Sequence, residues 1–228
     1  MLIIIKKGFV KQILISFIIV IFCLLVYEHI SSDKVAAVMA RGNTVIVIDA
    51  GHGGRDPGAV YGTIYEKNIN LDVAKRLQKI LKRKDYKVVM TRSKDVNLVN
   101  WKDNGSYQRA SLWQRAYISK KKNAAILVSI HCNSDSRGAF FGPQTFYHPR
   151  SGRGRNLAVS IQEELIKVRY TRRKAIPGNY YLLNNTYSTT VIVELGYLSN
   201  SKDRNFLSSP EFRQKFAQAI ADGICKIY

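Results

Sequence analysis

Cysteine is scarce in this chain, and the cysteines that occur are not paired in sequence. Cys23, Cys132 and Cys225 stand alone among 228 residues, with no CxxC spacing. The sequence therefore indicates neither a disulfide framework nor a thiolate zinc site. Acidic residues are also few, with 16 Asp+Glu against 36 Lys+Arg and a formal net charge of +20. A charge of this sign attracts polyanions such as nucleic acid, anionic lipid or an acidic cell-surface polymer.

Several binding motifs are missing from the sequence. It has no recognition-helix, zinc-finger or RNA-binding signature, so we do not expect a nucleic-acid partner. The glycine-rich stretch GHGGRDPG, residues 51–58, lacks the GK[ST] of a P-loop and does not follow GxGxxG. We therefore interpret its glycines as serving a tight turn and a close approach of the backbone to a ligand, rather than a phosphate cradle.

Only one long apolar run is present, ILISFIIVIFCLLVY at residues 13–27, and three lysines precede it. A helix of this length spans only about 22 Å, short of the roughly 30 Å hydrocarbon core of a bilayer. We interpret residues 1–30 as a signal peptide or signal anchor that associates with the membrane. Residues 31–42 would form a tether and residues 43–228 an exported domain. Exported, basic and disulfide-free, the chain fits a bacterial cell envelope.

The folded part is predicted to be a single α/β domain. Short apolar runs without strict alternation indicate strands buried on both faces of a mostly parallel sheet. The predicted strands are 45–48, 86–91, 125–131, 144–147, 180–183 and 190–195. Helical spacing predicts helices at 68–83, at 154–167 and at 209–227, with Pro210 in a first turn. Another helix is predicted from about Ser106, with Leu112, Ala116 and Tyr117 facing inward.

Polar side chains occur at or just beyond the carboxyl ends of three strands that we predict. Sheets of this class bind ligands at the carboxyl ends of their strands, where His52, His131 and Glu194 are placed. Two imidazoles, one carboxylate and an open position make a catalytic zinc site. Glu194 is the candidate for accepting a proton. Glu66, which opens a helix, is either a ligand or a partner of the helix dipole.

Cys132 lies beside His131 and is an alternative nucleophile. Because neighbours on a strand point to opposite faces, Cys132 is expected to face away from a metal bound by His131. We interpret it as a small buried hydrophobic residue.

Five segments in the same order carry a family resemblance. They are VIVIDAGHGG followed by DPGA, YEKNINLDVAKRL, TR, LVSIHCN, and VIVELGYLSNSKD followed by FL. Over about residues 44–227 the chain resembles the zinc-dependent N-acetylmuramoyl-L-alanine amidases. These enzymes cut the amide between the lactyl group of muramic acid and the first alanine of the stem peptide in peptidoglycan. The resemblance implies one domain with a six-stranded, mostly parallel sheet flanked by helices.

The resemblance also implies roles for individual residues. His52, Glu66 and His131 would bind Zn²⁺, and Glu194 would be the catalytic glutamate. Asp49 would orient a ligand imidazole, as outer carboxylates commonly do. Arg115 would either bind a stem-peptide carboxylate or pair structurally. Asn133 would contact substrate, which makes Arg115 and Asn133 the candidates for substrate binding.

The sequence departs from the family pattern at two places, and the second departure bears on partners. Gln144 stands in GPQTFYH where members often carry a glutamate, and only SDSRGAFF precedes Gly142, too short for a helical plug. Without a plug, control by an activator protein is an option, and the basic surface would favour anionic wall polymers. A bare domain on a signal or anchor resembles the sporulation-type amidases that prepare spore cortex for germination. The alternatives are another zinc hydrolase, such as a stem-peptide carboxypeptidase, and a non-catalytic wall-binding or activator module.

Overall fold

The computed structural model describes residues 15–24, 26, 41–100 and 106–228. Residues 15–24 are helical, whereas most of the predicted leader (1–30) and tether (31–42) lies outside the described residues. Within the described residues, no helix combines the length and the apolar character needed to cross a membrane. Asn43–Tyr228 is a compact unit, and it contains the sheet and the site described below.

The main sheet is mostly parallel, as predicted. Its strands are β1 (Val45–Ala50), β4 (Lys87–Met90), β5 (Ile126–Asn133), β6 (Gln144–Tyr147), β7 (Ile176–Pro177) and β8 (Thr189–Tyr197). They lie in the order β4-β1-β5-β8-β6-β7, and only the β6/β8 pair is antiparallel. Two more strands, β2 (Val60–Tyr61) and β3 (Ile64–Tyr65), form a small hairpin. The six-stranded α/β architecture is thus confirmed.

Helices flank the sheet. They are α1 (Glu66–Lys82), α2 (Tyr107–Lys121), α3 (Gly152–Val168), α4 (Tyr181–Asn184), α5 (Ser201–Ser208) and α6 (Pro210–Cys225). Helix α6 packs against both α1 and α3, and α2 packs against α4. The larger core is apolar and fully enclosed, with Leu77, Ile161 and Phe216 among its buried side chains. Ser106 caps α2, and Pro210 opens α6, as the sequence predicts.

Two local predictions were wrong, and one helix was missed. Residues 180–183 were expected to be a strand, but Tyr181–Asn184 is the short helix α4, and β7 is the sixth strand. A short apolar run does not distinguish a strand from a buried helical turn, and here Leu183 packs on Phe146 and Ile192. Tyr117 is exposed rather than inward-facing. Helix α5, capped by Asn200, was not predicted.

The sheet register creates a row of polar side chains. His131 of β5 lies opposite Glu194 of β8, and Glu194 lies opposite Gln144 of β6. Side chains that pair in this way on neighbouring strands share a face of the sheet. The carboxyl ends of β1, β5 and β8 meet at the same edge, and the row lies there.

Candidate metal centre

His52, Glu66 and His131 converge on a single point. Their potential ligand atoms all lie within 4.8 Å of one another. Glu66 Oε1 is 3.2 Å from His52 Nε2 and 3.0 Å from His131 Nδ1. Two imidazole nitrogens and a carboxylate oxygen are ligands that zinc accepts in catalytic sites. The three residues that the sequence predicts as ligands are therefore brought together, and their donor set fits a divalent metal.

The loop after β1 holds His52 in an unusual conformation. The backbone of His52 has φ 60°, in the left-handed region that a non-glycine residue rarely occupies. Its Nδ1 donates to Asp56 Oδ2 at 2.8 Å, which leaves Nε2 directed at Glu66. Gly53 and Asp56 exchange backbone hydrogen bonds and close the loop. Strain of this kind persists only where surrounding contacts enforce it.

Glu66 is immobilised by several donors. Its Oε1 accepts from Cys132 N at 2.9 Å and from Asn70 Nδ2 at 3.0 Å, and its Oε2 accepts from Ala59 N at 2.8 Å. Burial alone would raise the pKa of Glu66, but the hydrogen bonds with His131 and His52 outweigh burial and hold the pKa far below its usual range. Glu66 is thus a fixed carboxylate in the ionised form that a metal ligand requires.

Two glycines are required by the close approach of site residues. A Cβ at Gly51 would collide with the imidazole ring of His131. Gly58, at φ 66°, would place a Cβ 2.5 Å from Glu66 Oε2. The glycine-rich loop therefore lets the backbone pass directly against two candidate ligands, which is the purpose that the sequence analysis assigns to it.

Glu194 differs sharply from Glu66. It is only 8% exposed, and its Oε2 has no hydrogen-bond partner within the described residues. Burial raises the pKa of Glu194 to about 7. A buried carboxyl oxygen without a partner costs about 1–3 kcal/mol. Such a cost is expected where a group is reserved for a ligand or for proton transfer rather than for stability.

Asp49 and Arg115 form a buried ion pair. Arg115 donates to Asp49, to the carbonyl of Ala50 at 2.8 Å and to the carbonyl of His52 at 2.8 Å. Arg115 is 4% exposed, which does not fit the expected contact with substrate and fits the structural alternative. Burial would raise the pKa of Asp49, but Arg115 and the hydroxyls of Ser129 and Thr91 lower it overall.

Asp49 was also expected to orient a ligand imidazole. Its oxygens instead accept from Thr91, Arg115 and Ser129. Asp56 occupies the orienting position on His52, and sequence reasoning missed it. The available signal was the spacing of four residues between His52 and Asp56 within one tight loop.

Asn70, which supports Glu66, was also missed, although it lies one helical turn after it. A further residue that was not identified is Arg92, which donates to the carbonyls of Ala50 and Gly51 and fixes the start of the loop.

Cys132 and Asn133, which the sequence also singled out, directly follow His131 in β5. Asn133 is at the end of β5, where its Oδ1 accepts from Ser134 N at 2.8 Å, and its contact with substrate stays a prediction. Cys132 is buried, with Sγ 3.6 Å from Asn70 Oδ1. Burial raises the pKa of the Cys132 thiol well above its ordinary value, so it is not poised as a nucleophile.

Comparison with known proteins identifies one family. The family described as N-acetylmuramoyl-L-alanine amidase matches residues 46–226. The chain is 33% identical to a germination-specific N-acetylmuramoyl-L-alanine amidase of Bacillus subtilis, covering 94% of this chain and 92% of that one.

Solved structures agree with the sequence comparison. The CwlD amidase of Clostridioides difficile, solved in complex with the GerS lipoprotein, is 34% identical, with a TM-score of 0.78 over 81% of this chain and 98% of that one. The catalytic domain of the amidase CwlV from Bacillus (Paenibacillus) polymyxa is 34% identical, with a TM-score of 0.70 over 80% and 97% of the two chains.

Proposed function

The chain belongs to the N-acetylmuramoyl-L-alanine amidase family, and we propose that it is a zinc-dependent member that hydrolyses the amide between the muramic acid lactyl group and L-alanine. In this proposal His52, Glu66 and His131 hold the zinc ion, and Glu194 is the catalytic residue. The substrate is peptidoglycan, the polymer of the cell wall, which lies outside the cytoplasm.

One observation carries this proposal. A carboxylate with an unpartnered oxygen, Glu194, lies in register beside His131, which is one of three converging metal-ligand candidates. A purely structural cluster would satisfy that oxygen, because buried polar groups are almost always hydrogen-bonded. A non-catalytic module would gain nothing from keeping it unsatisfied.

Each residue has a defined part in the proposed reaction. Zinc, when bound, supplies a Lewis acid that polarises the scissile carbonyl and lowers the pKa of water. Glu194 accepts the proton of the attacking water and then donates it to the leaving amine, which suits a carboxyl with a pKa near neutrality. Asp56 holds the His52 tautomer that leaves Nε2 free, and Asn70 holds Glu66.

The biological setting is also part of the proposal. The resemblance to a germination-specific amidase supports a role in spore cortex maturation for germination. We propose that residues 1–30 export the chain as a signal peptide or anchor, that 31–42 is a tether, and that 43–228 is the catalytic domain outside the cytoplasm. Because the CwlD neighbour is found with a lipoprotein, an activator protein that assists metal loading is a compatible partner. Anionic wall polymers would be attracted by the net charge of +20.

The test combines metal analysis with product analysis. We expect the purified chain to contain about one zinc per chain and to release intact stem peptides with a free alanine amine from peptidoglycan, detected by mass spectrometry. Release of single terminal amino acids would instead identify a carboxypeptidase. If zinc-loaded protein releases nothing even after cell extract is added as a source of activator, the proposed activity is wrong.

A further inference from the structure

Arg173 lies near the candidate site and, unlike Arg115, is partly exposed. It lies in the segment that follows α3 and reaches the row formed by His131, Glu194 and Gln144. Its terminal nitrogen Nη1 donates to Gln144 Oε1 at 2.7 Å, and Nε donates to the carbonyl of Phe141 at 3.1 Å. Arg173 is thereby attached to the residue that lies directly across from Glu194 in the sheet.

The guanidinium of Arg173 packs beside two neighbouring aromatic rings, whose centres lie 5.9 Å apart. Its central carbon lies 5.1 Å from the ring centre of Phe140 and 4.9 Å from that of Tyr197. Within the described part of the chain, Nη2 has no hydrogen-bond partner, and no carboxylate forms a salt bridge with Arg173. A guanidinium fixed by two hydrogen bonds and by adjacent rings, with a free edge and an uncompensated charge, is prepared to bind a carboxylate.

Arg173 also lines a surface groove. The volume of the groove is about 580 Å³, and residues 139–141 and 170–173 line it. The nearby Arg169 instead forms a salt bridge with Asp203 at 2.8 Å. Arg173 is thus the arginine of this groove that combines a fixed orientation with an unused donor edge.

The distance from the candidate metal centre along the sheet indicates which substrate carboxylate would lie near Arg173. The backbones of neighbouring strands lie about 4.8 Å apart. The Cα atom of Gln144 is therefore about 5 Å from that of Glu194 and about 10 Å from that of His131. A peptide advances about 3.5 Å per residue when extended. The second residue of the stem peptide therefore lies about 7 Å from the scissile amide, which is comparable to the separation of one to two strands between the centre and Gln144, the residue that Arg173 contacts.

We propose that Arg173 binds the free carboxylate of the second stem-peptide residue and so makes the enzyme selective for a stem that is not amidated there. This inference rests on the proposed amidase function. Gln144 is a positioning residue in it, because it acts only through the guanidinium. Loss of a charge-assisted hydrogen bond of this kind lowers kcat/KM by about 10- to 100-fold.

The test compares two muropeptides that differ only at the second residue, with a free α-carboxylate or an α-carboxamide. We expect the zinc-loaded full chain to prefer the carboxylate form by about 10-fold or more in kcat/KM. Arg173→Gln should lose this preference, with slower turnover of the carboxylate form and little change on the amide. Arg173→Lys should retain part of the preference. Lys174→Gln is the matched control, because it removes one exposed positive charge from the adjacent position and should leave the preference intact.

Other outcomes would overturn the inference. Equal losses on both muropeptides in Arg173→Gln would mean that Arg173 only supports the fold. An equal loss of preference in Lys174→Gln would mean a general charge effect. The two muropeptides are also titrated into the Glu194→Gln protein, where the binding preference for the carboxylate form should persist without turnover. If hydrolysis fails in the wild type while this binding preference remains, the proposed function is wrong and the carboxylate site stands. If neither protein discriminates, the carboxylate site is wrong.

Discussion

Replacing Glu194 by Gln should change how the stability of the metal-free protein depends on pH. Glu194 is 8% exposed and lacks a partner for Oε2, and burial raises its pKa to about 7 from an ordinary value of 4.5. Glutamine has nearly the same shape and does not titrate. The difference in unfolding free energy between the two proteins therefore isolates the ionisation of this one carboxyl group.

The sign and size follow from linkage. Below pH 4.5 the carboxyl is protonated in both the folded and unfolded states, so it contributes no pH dependence. As the pH rises from 4.5 to about 7, the unfolded chain ionises first, and the folded state of the wild type loses stability. This loss reaches about 3 kcal/mol above pH 7. The Gln variant does not lose this increment.

The assay is urea unfolding of both metal-free proteins between pH 4 and 8. We expect the stability of the wild type relative to the variant to fall by about 3 kcal/mol across that range. Zinc should shrink the change, because its charge favours the ionised carboxylate. A difference that is independent of pH, or one that zinc does not alter, would refute the burial argument for Glu194.

Three further predictions concern the residues around the centre. His131→Ala should lose both bound zinc and turnover, and a variant that retained a full zinc content would contradict its role as a ligand. Asp56→Asn should weaken zinc binding by about 10- to 100-fold, measured by competition with a chelator, because His52 would lose the carboxylate that orients it. Arg115→Met should destabilise the protein by about 3–5 kcal/mol in denaturant unfolding, since Asp49 would be left buried and unpaired. A raised KM with unchanged stability in that variant would restore the substrate-binding role.

The fold was predictable wherever a segment was long and strongly patterned. The strand 144–147 was predicted with the observed bounds, and the helices at 66–82 and 152–168 differ from prediction by only a few residues at their ends. The errors occur in short segments, where local pattern is weak. Tyr181–Asn184 is apolar enough for either state, and the structure shows it as a helical turn whose Leu183 packs on Phe146.

The site was predictable to the extent that chemistry is encoded at strand ends. His52, His131 and Glu194 could be identified because each lies in or just beyond the carboxyl-terminal part of a buried strand. The supporting residues could not be identified in the same way. Arg115 and Asp49 are far apart in sequence, and only the packing of α2 on β1 shows that they pair with each other rather than with a ligand.

The two glutamates illustrate how environment assigns roles to identical side chains. Glu66 has both oxygens occupied by donors from Cys132, Asn70 and Ala59, and its pKa is held far below the usual range. It therefore stays ionised and is suited to neutralising a cation. Glu194 has an unused oxygen and a pKa near 7, so it exchanges a proton at neutral pH at little cost. Environments that push two carboxyl pKa values apart in this way separate a ligand from an acid–base group, and sequence position alone, which places both residues at the ligand edge of the sheet, does not separate them.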